Sequence, residues 1–129
     1  QEKLFLGNLD ACRDWGYAPE YVEAMWRMLQ SDSPEDLVIA TGDSYSIRQF
    51  VEFAFGHANL DWQQYVEIDE AYKRPAEVDY LRGDPARATA KLGWRARVRT
   101  PELAALMVDA DIAALTDQLA GRAVRVDRR

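Results

Sequence analysis

Short apolar runs with the pattern of β-strands alternate with amphipathic helices along this chain, and this alternation limits the possible folds more than any other feature. Strands are predicted at residues 4–6, 37–40 and 65–68, where apolar residues are bounded by turn-forming or polar ones. Alternating helices and strands favour a mixed α/β or α+β arrangement. So few strands do not build a complete parallel sheet with its crossovers, and we therefore expect one lobe of a larger structure.

Four helices are predicted from their end signals and apolar spacing. The first covers about residues 19–30 and has Pro19 in its first turn. Its apolar stripe consists of Val22, Met25, Trp26 and Leu29. The second begins at a capping box formed by Ser46 and Gln49 and runs to about residue 58. The other two are predicted over residues 85–92 and 100–119.

Composition indicates an acidic globular protein. Hydrophobic residues make up 48% of the chain and charged residues 29%, and the formal net charge of −6 disfavours nucleic-acid binding. No apolar run is long enough to span a membrane. Cys12 and His57 are the only residues of their types, so neither an internal disulfide nor a Cys/His zinc site is expected. The start of the chain does not read as a signal peptide, and we expect a cytoplasmic protein.

The charge is unevenly distributed along the chain. Residues 1–81 carry six basic and sixteen acidic side chains, whereas residues 82–99 carry six basic side chains and one acidic one. The simplest interpretation is a solvated basic face on a helix and on a strand after it. A rim that faces phosphate groups is the alternative.

Two segments combine side chains suited to a small anionic ligand. In residues 13–17 an arginine, an acid and two aromatics surround a glycine just before a helix N-terminus. Arg13 can hold a phosphate in a bidentate fork, and an Arg13–Asp14 pair packed on Trp15 is the structural alternative.

The second segment, residues 72–79, places two cations before a proline. Lys73 and Arg74 precede Pro75, and Glu77 follows Arg74 by three residues. Arg74 can hold a pyrophosphate while Glu77 accepts hydrogen bonds from a ribose diol. A solvated charged loop would explain the same residues.

The order and spacing of six blocks resemble the second half of the GDP-mannose 4,6-dehydratase family over about residues 3–115. The blocks are LGNLDACRDWGYAPEYVEAMW (residues 6–26), VIATG (38–42), SIRQFV (46–51), RPAEVD (74–79), Gly-Asp-Pro (83–85) and KLGW (91–94). The resemblance implies the C-terminal lobe of an extended short-chain dehydrogenase/reductase, cut from a longer enzyme whose Rossmann half binds NADP. Residues 1–120 would form this lobe, and residues 121–129 a basic, disordered tail.

Site residues follow from the resemblance by position. It implies that Arg13 and Arg74 reach the pyrophosphate of GDP-mannose and that Glu77 takes the ribose hydroxyls. Weaker contributions to the same pocket are expected from Trp15, Tyr17 and Asn8, with backbone groups of Leu6 and Gly7 near the nucleotide.

Catalytic residues are not expected in this stretch. The family converts GDP-mannose to GDP-4-keto-6-deoxymannose with bound NADP and uses a Tyr-x-x-x-Lys pair with Thr and Glu. No tyrosine here has a lysine four residues later, and no Gly-x-Gly-x-x-Gly turn occurs. The expected partners are GDP-mannose and the Rossmann half, within a homo-oligomeric full-length enzyme. A lobe of another nucleotide-sugar reductase or epimerase, or an interaction module without catalysis, remains an alternative.

Overall fold

Helices dominate the structure, and the strands that accompany them are short. The computed structural model describes residues 2–73 and 76–121, and the elements below belong to those residues. The helices are α1 (Ala18–Leu29), α2 (Ile47–His57), α3 (Ala86–Leu92) and α4 (Thr100–Leu119). The strands are β1 (Leu4–Leu6), β2 (Cys12–Arg13), β3 (Tyr45–Ser46) and β4 (Val66–Ile68). This mixed α/β architecture, with helices and a few short strands, confirms the predicted fold class.

The strands form two small two-stranded sheets. β1 pairs in parallel with β4, and Phe5 lies opposite Glu67. β2 pairs antiparallel with β3, and an isolated parallel bridge joins Cys12 to Tyr80. Because β2 lies between β3 and the chain near residue 80, the fold brings an early and a late segment of the sequence together.

Small residues around one tryptophan build the core between α1 and α3. Ala24 and Ala88 are fully buried, which allows the two helices to approach closely. Trp94 is 2% exposed, and its indole Nε1 donates to the backbone carbonyl of Glu20 at 2.9 Å. The ring of Tyr21 meets Trp94 edge-on, with 5.8 Å between the centroids. The indole therefore fills the core without leaving an unpaired donor.

A buried carboxylate holds the chain after α3 against α1. Glu20 accepts hydrogen bonds from the backbone N–H groups of Arg97 and Val98 and from Arg97 Nε, at 3.0, 3.3 and 3.1 Å. A buried charge needs such partners to offset its lost hydration. Residues 93–99 are attached by this carboxylate, and the strand predicted after the third helix is not formed there.

The capping box of α2 is confirmed. Ser46 Oγ accepts from the backbone N–H of Gln49 at 3.1 Å, and Gln49 Oε1 accepts from that of Ser46 at 2.8 Å. α2 packs along α4, and His57 Nε2 lies 2.7 Å from Asp109 Oδ1 at the end of this contact. The bounds of all four helices lie within one or two residues of the predicted ones.

The strand predicted at residues 37–40 is wrong. This stretch has no ladder partner among the described residues, and a strand exists only where its backbone groups are paired by a neighbour. Leu37 and Ile39 pack against the Trp94 core, whereas Val38 between them is 54% exposed. The apolar run that predicted a strand therefore packs on one side only.

The apolar stripe of α1 does not face the core. Its members are all exposed: Val22, Met25, Trp26 and Leu29, which we call the α1 outer face. The buried positions of α1 are Glu20 and Ala24, because α3 and the Trp94 core lie on that side. A helix that presents such a stripe to solvent is unusual for an isolated domain.

The basic stretch after residue 81 is paired with acidic side chains from earlier in the chain. Arg87 and Lys91 both contact Glu35, at 2.9 Å each, and Arg99 Nη1 lies 3.1 Å from Asp43. These side chains remain largely exposed, which agrees with a solvated basic face. The uneven charge along the sequence is therefore balanced locally in the fold.

Some expectations fall on residues that are not described. Arg74 and Pro75 lie outside the described ranges, and so do residues 122–129 of the expected tail. Among the described helices, none combines the length and apolarity that crossing a bilayer requires.

Candidate substrate-binding site

The two segments that the sequence selected lie side by side. The backbone N–H of Cys12 donates to the carbonyl of Asp79 at 2.7 Å, and the N–H of Leu81 donates to the carbonyl of Cys12 at 3.1 Å. These bonds attach the chain around residue 80 to β2. They place Arg13 next to Glu77, which is 64 positions away in sequence.

Arg13 is fixed at this junction by three contacts. Its Nη1 donates to the backbone carbonyls of Cys12 and Val78, at 2.8 and 2.7 Å, and its Nη2 lies 3.1 Å from Glu77 Oε1. The two side chains are 25% and 17% exposed, so the ion pair is partly shielded from solvent. We call Arg13, Asp14 and Glu77, with their hydrogen-bond partners, the Arg13 corner.

Hydrogen-bonding capacity remains at both members of the pair. A guanidinium carries five N–H donors, and the contacts of Arg13 within the described chain use three of them. Glu77 uses Oε1 for Arg13, and Oε2 has no partner among the described residues. The corner therefore offers donors to an anion beside an acceptor suited to hydroxyl groups.

Asp14 is the hub of the corner, and sequence reasoning assigned it no such role. Its Oδ1 accepts from the backbone N–H of Thr41 at 2.9 Å and also from the Thr41 hydroxyl. Its Oδ2 accepts from the backbone N–H groups of Gly42 and Gly83, at 3.0 and 3.2 Å. The Asp14 carboxylate, next to Arg13 in the sequence, thus links β2 to residues 41–42 and to residue 83. The predicted alternative, an Arg13–Asp14 pair, is not formed, because Arg13 turns to Glu77 instead.

Two glycines permit the close approaches on which the corner depends. A Cβ at Gly83 would lie 2.2 Å from the Cβ of Ala40, so no larger residue fits beside Asp14 there. A Cβ at Gly7 would lie 2.6 Å from the backbone carbonyl oxygen of Tyr72. The turn after β1 therefore packs directly on the backbone of the second segment.

Asn8 and Lys73, the polar residues at this contact, have local partners. Asn8 Oδ1 accepts from the backbone N–H of Asp10 at 2.9 Å and shapes the turn. Lys73 Nζ lies 2.6 Å from Glu70 Oε1 in an exposed ion pair. Asn8 thus lies in a turn that contacts the second segment.

Trp15 and Tyr17 line a different feature of the surface. They border an apolar cleft of about 770 Å³ whose other walls include Phe50, Leu103 and Met107. The Trp15 and Phe50 rings are 5.0 Å apart between centroids. The cleft has neither Arg13 nor Glu77 among its lining residues, so the aromatic pair and the ion pair occupy separate positions.

The structure thus brings together part of the set that the sequence selected. Arg13 and Glu77 meet, Asn8 lies in the adjoining turn, and Arg74 is outside the described residues. Within the described ranges no group of three or more histidine, cysteine, aspartate or glutamate side chains could hold a metal ion. The sequence offers one weak signal for the role of Asp14: an aspartate that is followed, much later in the chain, by the pairs Thr41-Gly42 and Gly83-Asp84.

The family model and the curated relatives of this chain carry the same enzyme name. Residues 1–107 match the family model described as GDP-mannose 4,6 dehydratase. GDP-mannose 4,6 dehydratase 2 of Arabidopsis thaliana is 52% identical over 112 residues, which cover 87% of this chain and 30% of that protein. The human GDP-mannose 4,6 dehydratase is 48% identical over 128 residues, covering 86% of this chain and 34% of that protein. The chain spans about a third of the length of these relatives.

Solved structures share the fold at lower identity. A putative epimerase from Burkholderia cenocepacia superposes with a TM-score of 0.78 and 24% identity, covering 88% of this chain and 37% of that one. RMD from Pseudomonas aeruginosa, complexed with NADPH, gives a TM-score of 0.72 and 21% identity, covering 84% and 35%. The fold is therefore found within larger enzymes of related architecture. The family model matches most of the chain, and the chain therefore belongs to the GDP-mannose 4,6-dehydratase family.

Proposed function

We propose that this chain is the nucleotide-sugar-binding lobe of a GDP-mannose 4,6-dehydratase. The observation that carries the proposal is the meeting of Arg13 and Glu77, two expected site residues 64 positions apart, at 3.1 Å. The sequence predicts both as ligand contacts, from their chemistry and from the family resemblance.

The chemistry of the Arg13 corner suits a nucleoside diphosphate. The two N–H donors of Arg13 that face no described group can bind a diphosphate oxygen in charge-assisted hydrogen bonds. Glu77 Oε2 can accept from a ribose hydroxyl. In the proposal Arg74 supplies a second guanidinium, Asn8 a contact from the adjoining turn, and Trp15 and Tyr17 the apolar wall of the neighbouring cleft.

NADP does not fit the residues of this chain. The sequence has no Gly-x-Gly-x-x-Gly turn and no Tyr-x-x-x-Lys pair. α2 follows β3 directly at Ser46, and no described helix starts from a glycine-rich turn after a parallel strand. We therefore assign the cofactor and the dehydration chemistry to the remainder of the longer family protein. Substrate binding is the role proposed for this chain.

The remainder of that protein is also the proposed partner of the α1 outer face. Relatives of this chain are about three times as long, so a second body of twice its size accompanies the lobe in each of them. The outer face is apolar and exposed, and residues 37–40 beside the core lack a ladder partner among the described residues. Both features fit a surface completed by that body, in an enzyme proposed to be a homo-oligomer.

Calorimetric titration tests the proposal. We expect heat on addition of GDP-mannose and none on addition of free mannose, since the corner recognises the nucleotide diphosphate. The heat should shrink as salt is added, because charge-assisted contacts are screened at partly exposed sites. Equal responses to GDP-mannose and mannose would contradict the proposal.

A lobe for another nucleotide sugar is the second candidate. It is favoured by the fold shared with UDP-glucose 4-epimerase of Thermotoga maritima, solved with UDP-glucose, at a TM-score of 0.75 and 22% identity, covering 88% of this chain and 36% of that one. Parallel titrations with GDP and UDP separate the two candidates. Tighter binding of GDP supports the first, and tighter binding of UDP supports the second.

A further inference from the structure

The second half of α4 extends past the helix that supports its first half. α2 ends at His57, whose ring contacts Asp109, and α4 continues from there to Leu119. At 1.5 Å per residue this continuation is roughly 15 Å long. From Val108 to Leu119, all of which the structure describes, no residue is buried. This half of the helix is therefore only weakly packed by the rest of the lobe.

Its exposed apolar side chains follow a regular spacing. Ile112, Leu115 and Leu119 are 51%, 58% and 88% exposed. The half-buried Val108 precedes them by one turn. Intervals of four, three and four residues put these four side chains, which we call the α4 stripe, on one side of the helix. Such spacing is typical of a helix that packs along a second helix.

The α4 stripe lies beyond the part of the chain that the family model describes. That model matches residues 1–107, and the stripe begins at Val108. Features common to the family therefore give no reason to assign the stripe to the remainder of the longer protein. That remainder is the proposed partner of a surface on a different helix, the α1 outer face.

The distribution of charge favours a second copy of this chain as the occupant. Residues 100–119 have four acidic side chains and no basic one, whereas residues 122–129, outside the described ranges, have four arginines and one aspartate. Two α4 helices aligned in parallel would place the acidic helices alongside each other and the two arginine-rich sequences at the same end, so like charges would repel. Antiparallel alignment avoids this, because the arginine-rich sequence of each copy then follows toward the acidic helix of the other.

We propose that the α4 stripe is a homodimer interface in which two copies of this chain pair their α4 helices antiparallel. Val108 of one copy lies opposite Leu119 of the other, and Ile112 likewise lies opposite Leu115. The stripe is thus self-complementary about a two-fold axis, as a symmetric dimer requires. Pairing removes its exposed apolar side chains from water and opposes the two helix dipoles. Because a contact between two helices of this length is small for a protein interface, the dimer should dissociate on dilution.

Sedimentation equilibrium of the full chain over a range of concentrations tests the proposal. The wild type should show a monomer–dimer equilibrium. Leu115→Glu should raise the Kd of the dimer at least about ten-fold, because it puts an unpaired charge between two apolar surfaces. Leu106→Glu is the matched control, since Leu106 is 42% exposed and lies two and a half turns earlier, on the opposite side of the same helix. It should change the Kd less than about two-fold.

Circular dichroism melting curves confirm that each variant is folded. A wild type that stays monomeric at every concentration would overturn the proposal. So would association that persists unchanged in Leu115→Glu and is lost in Met25→Glu, because the α1 outer face would then be the interface.

Two further measurements test the antiparallel pairing. The dimer should weaken as salt is added and when residues 122–129 are deleted, because the arginines then compensate the acidic helices less. In a Cys12→Ser background, mild oxidation of Leu119→Cys should form no disulfide between the copies, since the two positions are roughly 16 Å apart along the helix axes. A rapid disulfide there, or a dimer unaffected by the deletion, would contradict the arrangement.

Discussion

The Arg13 corner and the α1 outer face lie only a few residues apart in the sequence, yet they differ in how completely this chain satisfies them. In the corner, Arg13 and Asp14 are bonded to groups from three distant segments. On the outer face, large apolar side chains are exposed, up to 82% at Leu29. The described residues thus supply the hydrogen-bond partners of the polar site, whereas they leave the apolar side chains of the outer face exposed.

Among the substitutions considered for the corner, replacement of Asp14 should reduce stability most. Asp14→Asn puts an amide N–H₂ where an oxygen accepts from backbone donors, so at least one partly buried donor loses its partner. We expect the free energy of unfolding to fall by roughly 3 kcal/mol in urea denaturation. Asp10→Asn, which loses only an exposed ion pair with Arg48, should cost less than about 1 kcal/mol. Equal losses in the two variants would show that Asp14 is no hub.

Glutamate substitutions at two adjacent positions of α1 compare the buried side of this helix with its outer face. Ala24 is fully buried in the core, whereas its neighbour Met25 is 58% exposed. Ala24→Glu forces a charge into the contact with α3 and should cost more than about 3 kcal/mol or prevent folding. Met25→Glu should change the free energy of unfolding by less than about 0.5 kcal/mol in the same urea denaturation. A large loss of stability in Met25→Glu would mean that the outer face is part of the core.

A smaller effect is expected for stability in acid. It depends on Glu35, whose ion pairs with Arg87 and Lys91 link α3 to the loop before residue 37. The hydrogen bond from Lys91 holds the pKa of Glu35 below its usual value of 4.5, and that from Arg87 lowers it further. A lowered folded-state pKa stabilises the protein above about pH 4.5, and this contribution disappears as the pH falls through the folded-state value. Glu35→Gln should therefore lose less stability than the wild type between about pH 6 and pH 3. Identical pH profiles would contradict this assignment.

Local signals in the sequence predicted what depends on local structure. The Ser46–Gln49 capping box, Pro19 and Gly93 mark helix ends, and each lies at the end of a helix in the structure. Parallel pairing of the run at residues 65–68 with β1 is also consistent with its predicted strand character. Caps and turns are set by neighbouring residues, so they can be read without the rest of the fold.

Features that depend on distant partners were predicted less well. The spacing of Val22, Met25 and Leu29 correctly indicated an amphipathic helix, but it could not show that the apolar face is exposed in this chain. Residues 37–40 have strand-like composition without a partner strand in the described chain. The four hydrogen bonds of Asp14 were missed because their donors lie 27 to 69 positions away. Arg13 and Glu77 were selected because their chemistry suits a diphosphate and a ribose, and because the resemblance implies the same roles.

The most direct test of the account is the affinity for GDP of the wild type, Arg13→Ala and Arg48→Ala, measured by calorimetry at low salt. Arg48 forms an exposed ion pair with Asp10 and lies over the Trp62 ring, and it is not among the proposed ligand contacts. We predict at least ten-fold weaker binding for Arg13→Ala, equivalent to about 1.4 kcal/mol, and less than two-fold change for Arg48→Ala. Melting curves of each variant confirm that the protein is folded. Unchanged GDP affinity in a folded Arg13→Ala protein would contradict the claim that this corner binds the nucleotide.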